Sequence, residues 1–150
     1  MHKIKGHVYE MFHQYKGPLD YTIPYIKAHF PRADTLVIAA NYEEYSYMYY
    51  LGSKVIVGYV GNNLEEDVKL VPDIIAYRKM WPRFGELFNH YLSKAPYEPV
   101  IFPVFDTPVN SSPLFDYVQP LYLKHLFKTL LTNDPQQATC LYIKRGEAAN

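Results

Sequence analysis

The chain has 150 residues, with 15 basic against 15 acidic side chains and a formal net charge of zero. One domain is the simplest division of that length, and it buries roughly 68–70% of its unfolded surface without needing staples. Charge balance argues against a nucleic-acid binder, which carries a basic footprint, and against plain electrostatic attraction to anionic membranes.

Residues Met1 to Tyr15 mix polar and aromatic side chains and read as a lead-in, with no apolar block after Met1-His-Lys-Ile-Lys-Gly6 to make a signal peptide. No apolar run reaches the roughly 18 residues of a membrane span, so the chain as written reads as soluble. Gly17-Pro18 then punctuates the sequence. Asp20 or Thr22 can cap a helix to about His29, with Ile23, Ile26 and Phe30 as its apolar stripe and Pro24 tolerated only in its first turn.

Leu36 to Ala40 predicts a buried strand that runs straight into a helix start at Asn41-Tyr-Glu-Glu44. Asn41 is the expected cap, and Tyr45, Met48 and Tyr49 the expected inner face, with Gly52 ending the helix. Lys54 to Val57 predicts a second strand, followed by Gly58 and Gly61-Asn-Asn63. Leu64 to Lys69 predicts a short helical turn and Asp73 to Tyr77 a third strand. Pro82 opens the clearest helix, with Phe84, Leu87, Phe88, Tyr91 and Leu92 at i, i+3, i+4, i+7 and i+8. Pro99 to Val104 predicts a fourth strand, placed by its prolines at a sheet edge.

Phe105 to Gln119 is rich in Pro, Ser, Asn and Asp and reads as a long irregular excursion. Tyr122 to Leu131 predicts a helix and Thr139 to Lys144 a last strand, with a frayed tail from Gly146. Alternating strands and helices imply an α/β fold: a three-layer α/β/α sandwich with a mostly parallel, Rossmann-like sheet of about five strands and an antiparallel edge. The domain spans residues 16–146, between the lead-in at 1–15 and a tail at 147–150.

In such sheets ligands gather at the carboxyl ends of the strands. The turn there holds no glycine-rich phosphate cradle, and Glu43 and Glu44 occupy the positive end of the helix that an anion would use. No dinucleotide fingerprint, phosphate-binding loop, nucleophile elbow, C-x-x-C or H-E-x-x-H occurs, so no cofactor, no metal and no catalytic residue is assigned. Tyr42, Glu43 and Glu44 would bind hydroxyls of a polar ligand, with ordinary helix-start chemistry as the alternative. Arg78, just past the third strand, could grip a carboxylate or phosphate bidentately. Trp81, the only tryptophan, offers a flat face to a sugar or to packing. Asn41, Tyr42, Glu43, Glu44, Arg78 and Trp81 are therefore the ligand-binding candidates.

His2, His7 and His13 are separated by five and six residues, unlike the i, i+4 spacing of helical metal ligands, and read as surface residues. His29, His90 and His125 read as structural. Cys140, the single cysteine, sits among apolar neighbours and reads as a small core residue. Asn110-Ser-Ser112 fits the N-glycosylation triplet in a loop-like segment. Sixteen tyrosines and twelve prolines are the compositional oddity. The cluster Tyr42, Tyr45, Tyr47, Tyr49 and Tyr50 is too dense for one core face, so some rings meet a partner, a loop or solvent.

Taken in order, Gly17-Pro-Leu-Asp20 with Pro24-Tyr-Ile-Lys27, Asn41-Tyr-Glu-Glu44 with Met48-Tyr-Tyr-Leu-Gly52, and Pro72-Asp-Ile-Ile75 with Arg78 and Trp81 form a series over roughly Tyr9 to Arg145. That series resembles the soluble, extracytoplasmic C-terminal domain of polytopic glycosyltransferases that use lipid-linked sugars, similar to dolichyl-phosphate-mannose–protein mannosyltransferases. The resemblance implies an accessory domain beside a membrane-embedded portion that binds a polyprenyl-phosphate sugar, with a glycan or that donor as candidate ligand. It implies a lumenal or periplasmic location and a juxtamembrane lead-in. The family's catalytic acids lie in a loop with no counterpart here. Two alternatives are a protein-interaction module without ligand and a small-molecule enzyme using Glu43 or Glu44 as general base.

Overall fold

The computed structural model describes residues 12, 16–56, 64–79, 84–106, 129 and 131–146. Its described elements are, in chain order, α1 (Leu19–His29), a 3-10 turn (Ala33–Thr35), β1 (Val37–Ala40), α2 (Glu44–Leu51), β2 (Lys54–Ile56), α3 (Leu64–Asp67), β3 (Ile74–Ala76), α4 (Gly85–Lys94), β4 (Tyr97–Phe105) and β5 (Ala138–Lys144). The expected lead-in apart from Phe12, the residues Gly58 and Gly61-Asn-Asn63, Trp81, Pro82, the Asn110 triplet, His125 and the tail beyond Gly146 lie outside the described residues, as does most of the excursion after Asp106. So does the helix expected from Tyr122, except at its end, where Leu131 makes an isolated antiparallel bridge to Val104.

The fold is α/β, built on one five-stranded mixed sheet in the order β2-β1-β3-β5-β4. β1 pairs in parallel with β2 and with β3, and β5 runs antiparallel to both β3 and β4. The last two strands thus form the expected antiparallel pair at one edge, and β5 carries the antiparallel pairing inward to β3. Because β4 opposes β5, it runs in the same direction as β1, β2 and β3, and four carboxyl ends share one side of the sheet.

Strand alternation divides the core. Ile38, Ala40, Ile74, Ala76, Leu141 and Ile143 point into one buried cluster with Ile23, Ile26 and Phe30 of the α1 segment and Tyr47 and Leu51 of α2. Ala39, Ile56 and Ile75 point to the other face, against Phe88 and Tyr91 of α4. The predicted stripe of α4 is therefore the one that packs. Tyr91 also donates its hydroxyl proton to the Asp67 carbonyl at the end of α3 (2.9 Å), and Lys94 Nζ donates to the carbonyls of Val68 and Leu70, holding that connection to α4.

Three expectations change in detail. α1 begins after Pro18, not at a side-chain cap; Asp20 instead accepts the Gly17 N–H (2.8 Å), and Thr22 is buried within the helix. Pro24 lies past the first turn, where it removes one intrahelical donor. α2 starts at Glu44, and it buries Glu44, Tyr47 and Leu51 while Tyr45, Met48 and Tyr49 face outward, the reverse of the predicted orientation.

At the amino end of the sheet a second set of contacts joins three strands. Asp73 accepts the Val37 N–H (2.9 Å) and an ion pair from Lys144 Nζ (2.5 Å), and the Lys144 N–H returns to the Asp73 carbonyl. Tyr97 seals the adjacent edge by donating to the Pro72 carbonyl (2.7 Å), and its burial pushes the phenol up to about 12.

Gly52 closes α2 with φ 69°, and its N–H reaches the Met48 carbonyl. A Cβ placed there would meet Asp34 Cβ at 3.5 Å, an ordinary contact, so the cost of a side chain is backbone alone. Gly52→Ala is expected to lose about 1–2 kcal/mol in urea unfolding, and Gly52→Asn less, because asparagine tolerates the left-handed region.

Candidate functional site

The carboxyl ends of β1, β3 and β4 converge on one side chain. Arg78 follows β3 and is 1% exposed, the largest fully buried side chain among the described residues. A guanidinium cannot shed its charge, so the fold must bring acidic groups to it. Glu43, in the turn after β1, provides one: Oε2 accepts from Arg78 Nε (3.0 Å) and Nη2 (2.5 Å). Asp106, directly after β4, provides the other: Oδ1 accepts from Nη1 (3.4 Å) while Oδ2 takes the backbone N–H of Lys79 (2.6 Å). Tyr47, from α2, accepts from Nη2 (3.4 Å) through its hydroxyl, which also pairs with the Thr22 hydroxyl of α1 (3.2 Å).

The backbone at Arg78 is held as firmly. Asn41, fully buried at the end of β1, accepts the Arg78 N–H on Oδ1 (2.8 Å) and donates from Nδ2 to the Arg78 carbonyl (3.3 Å). Its amide thus acts as a strand-like bridge between the ends of β1 and β3, and not as the helix cap expected from its position. Glu43 takes the cap position with a left-handed backbone, φ 63° and ψ 22°. A non-glycine residue there costs roughly 1–2 kcal/mol, which the paired carboxylate offsets by reaching the guanidinium. Phe84, before α4, is the other non-glycine residue with positive φ, at 58°, among the described residues.

Burial raises the carboxyl of Glu43, opposed by Arg78 and reinforced by Asp106 and Glu44. Burial likewise raises Asp106, opposed by Arg78 and Lys79. At Arg78 burial works downward, but Glu43, Tyr47 and Asp106 outweigh it and the guanidinium is held above its usual value. Burial also pushes the Tyr47 phenol upward, so it stays neutral.

Of the six candidates from sequence, the structure brings Asn41, Glu43 and Arg78 into one buried network, and Glu44 is buried beside them at 5% exposed. Tyr42 is half-buried in the same turn. Trp81 lies outside the described residues. The donors of Arg78 that could grip a ligand anion are directed at the protein's own Glu43, Asp106 and Tyr47. Asp106, Tyr47 and Thr22 were not anticipated. Asp106 carries a usable signal, a lone acid directly after an apolar strand, mirroring the lone Arg78 after Ile74-Ile-Ala-Tyr77.

Outside this network α2 exposes a phenolic face: Tyr45 is 64% exposed, Tyr49 82% and Tyr50 53%, with Met48 beside them. Tyr49 and Tyr50 meet edge to face at 5.0 Å, and Lys27 of α1 lies 5.9 Å over the Tyr50 ring. Among the described residues no group of three His, Cys, Asp or Glu side chains could hold a metal, and no helix is long and apolar enough to cross a membrane. Comparison with known proteins finds no matching protein family, curated protein or solved structure.

Removing one member of a buried ion cluster leaves the others uncompensated. Arg78→Met is therefore expected to cost about 3–5 kcal/mol in equilibrium unfolding. Arg78→Lys is expected to recover only part of it, because an ammonium cannot serve both carboxylates and Tyr47 from one planar fork.

Proposed function

We propose that this chain is an accessory, non-catalytic docking domain of a membrane glycosyltransferase that uses a polyprenyl-phosphate sugar, facing the lumenal or periplasmic side. The observation that carries the docking part is the outer face of α2. Four large side chains, Tyr45, Met48, Tyr49 and Tyr50, are presented together to solvent on a helix whose inner face is locked. Tyrosine combines a wide apolar area with a polar tip and loses little rotamer freedom on binding, which suits a surface that meets a partner. The glycosyltransferase part rests on the ordered residue series from Gly17 to Trp81 and its family resemblance. A three-layer arrangement, with α1 and α2 over one sheet face and α4 over the other, belongs to the same reading and is supported by the two separate buried clusters.

Strand addition at the β4 edge is a poorer route for a partner. β4 is the outer strand beyond β5, and its exposed Pro99 and Pro103 lack the N–H groups that an added strand would pair with. Recognition through side chains on α2 remains. A glycan contact would fall beside it, at the half-buried Tyr42.

A photocrosslinkable amino acid in place of Tyr49, introduced in cells, is expected to give adducts with a polytopic glycosyltransferase, identified by mass spectrometry. Adducts confined to soluble proteins would remove the membrane partner from the reading. With the crosslinker kept at position 49, Tyr45→Ser with Tyr50→Ser is expected to abolish those adducts while changing stability by no more than about 0.5 kcal/mol. NMR titration with mannose oligosaccharides and polyprenyl phosphates tests the glycan arm: shifts at Tyr42 to Glu44 are expected, and unmoved resonances there would discard it.

A further inference from the structure

Two carboxyl groups bracket one guanidinium at the carboxyl edge, and all three side chains are buried: Arg78 and Asp106 are each 1% exposed and Glu43 8%. With both acids ionised the trio carries a net charge of −1 inside the protein. The two acids are not served alike. Asp106 has a hydrogen bond on each oxygen, from Arg78 Nη1 and from the Lys79 N–H, and the Lys79 charge nearby. Glu43 receives both of its hydrogen bonds on Oε2, while Oε1 is buried with no hydrogen-bond partner among the described residues. An ionised oxygen in that position bears desolvation with no compensating donor, whereas a protonated one bears far less.

We infer that the Glu43–Arg78–Asp106 cluster retains one proton, seated on Glu43 Oε1, and that this makes the carboxyl edge of the sheet an acid-stabilised clamp.

The surroundings reinforce that placement. From α2, Glu44 adds negative charge beside Glu43, and Tyr47 stays neutral because burial raises its phenol. From the β3 end come Arg78 and Lys79, of which Lys79 acts on Asp106, and Tyr77, whose phenol burial also raises. From β5, Cys140 and Tyr142 are raised first by burial and also by the Asp106 charge, so both are neutral. From α1 the facing group is the uncharged Thr22 hydroxyl. Lys79 thus offsets charge at Asp106 while Glu44 adds to it at Glu43, and burial raises both acids, with Asp106 the better compensated.

The linkage follows from that direction. In the unfolded chain Glu43 releases its proton near the ordinary 4.5. The folded state keeps it to higher pH, so the clamp's contribution is full below the ordinary value and is lost as pH rises through the raised folded one. Stability from this cluster therefore falls between mildly acidic and alkaline conditions, opposite to that of a simple ionised salt bridge.

The test combines thermal unfolding over a range from about pH 5 to pH 8 with carbon-detected NMR of the Glu43 carboxyl in the wild-type protein. Glu43→Gln, the neutral isostere, is expected to flatten the pH dependence and to melt above wild type at the alkaline end, by on the order of a few degrees. The wild-type Glu43 carboxyl is expected to titrate above 4.5. In Asp106→Asn, where the competing acid is gone, that midpoint is expected to move downward. A Glu43 midpoint at or below 4.5 in the wild type would overturn the inference, and this measurement needs no variant to fold. So would an equal loss of stability in Glu43→Gln at both ends of the range, or a midpoint that Asp106→Asn leaves in place.

Discussion

A guanidinium that cannot lose its charge sits at the centre of this fold, and the rest of the carboxyl edge is arranged to make that tolerable. Arg78 is reached from β1 by Glu43 and Asn41, from β4 by Asp106, and from α2 by Tyr47, which is joined in turn to Thr22 of α1. These contacts are long range in sequence, 28 to 37 residues for the Arg78 partners, so each closes a large loop. The left-handed backbone at Glu43 makes sense only in that setting. Without the guanidinium there is no gain to set against the strain, and a conventional cap at Asn41 would be the easier start for α2.

The sheet order is what makes the cluster possible. A hairpin placing β4 directly against β3 would run it the other way and deliver Asp106 to the opposite end of the sheet. The connection from β3 to β4 instead crosses through α4 and leaves the two strands pointing the same way, with β5 antiparallel between them, so both strands end beside Arg78. The inserted strand also supplies Lys144, which with Asp73 ties β1, β3 and β5 together at the amino end. The same strand thus joins β3 to β4 by direct pairing and secures the amino end of the sheet through Lys144. The small residues Ala40 and Ala76, opposite one another in the parallel ladder, lie in the same buried cluster as Tyr47.

Much of this was legible in the sequence, and the parts that were not share one physical cause. Strands stood out because their apolar runs are bounded by turn residues, and α4 because its stripe follows the helical period. α2 was oriented the wrong way round because aromatic residues occupy every side of it, leaving period nothing to select. The inner face was chosen by something periodicity does not measure: Tyr47 is the tyrosine whose hydroxyl finds partners in Thr22 and Arg78. Asn41 misled for a related reason. Its position before a helix matched a local cap, but Arg78, just past β3, outcompeted the local partner. Glu43 and Arg78 were singled out as ligand contacts, and it was their pairing with each other across 35 residues that sequence spacing could not display.

This internal use of charge also shapes what the molecule has left to offer a partner. An acidic turn that looked outward-facing in sequence is mostly turned inward, with Asn41, Glu43 and Glu44 withdrawn beneath the edge and Tyr42 half-buried. What remains on the outer side of the same helix is uncharged and aromatic, with Lys27 as the near cation. Those two facts are linked. α2 can hold large phenolic side chains in solvent because its orientation is fixed by the buried Tyr47 and Leu51 and by Glu43 at its start, not by the packing of the exposed rings. A helix so anchored need not rearrange when its outer face is covered, and the ordering cost of association falls mainly on the partner.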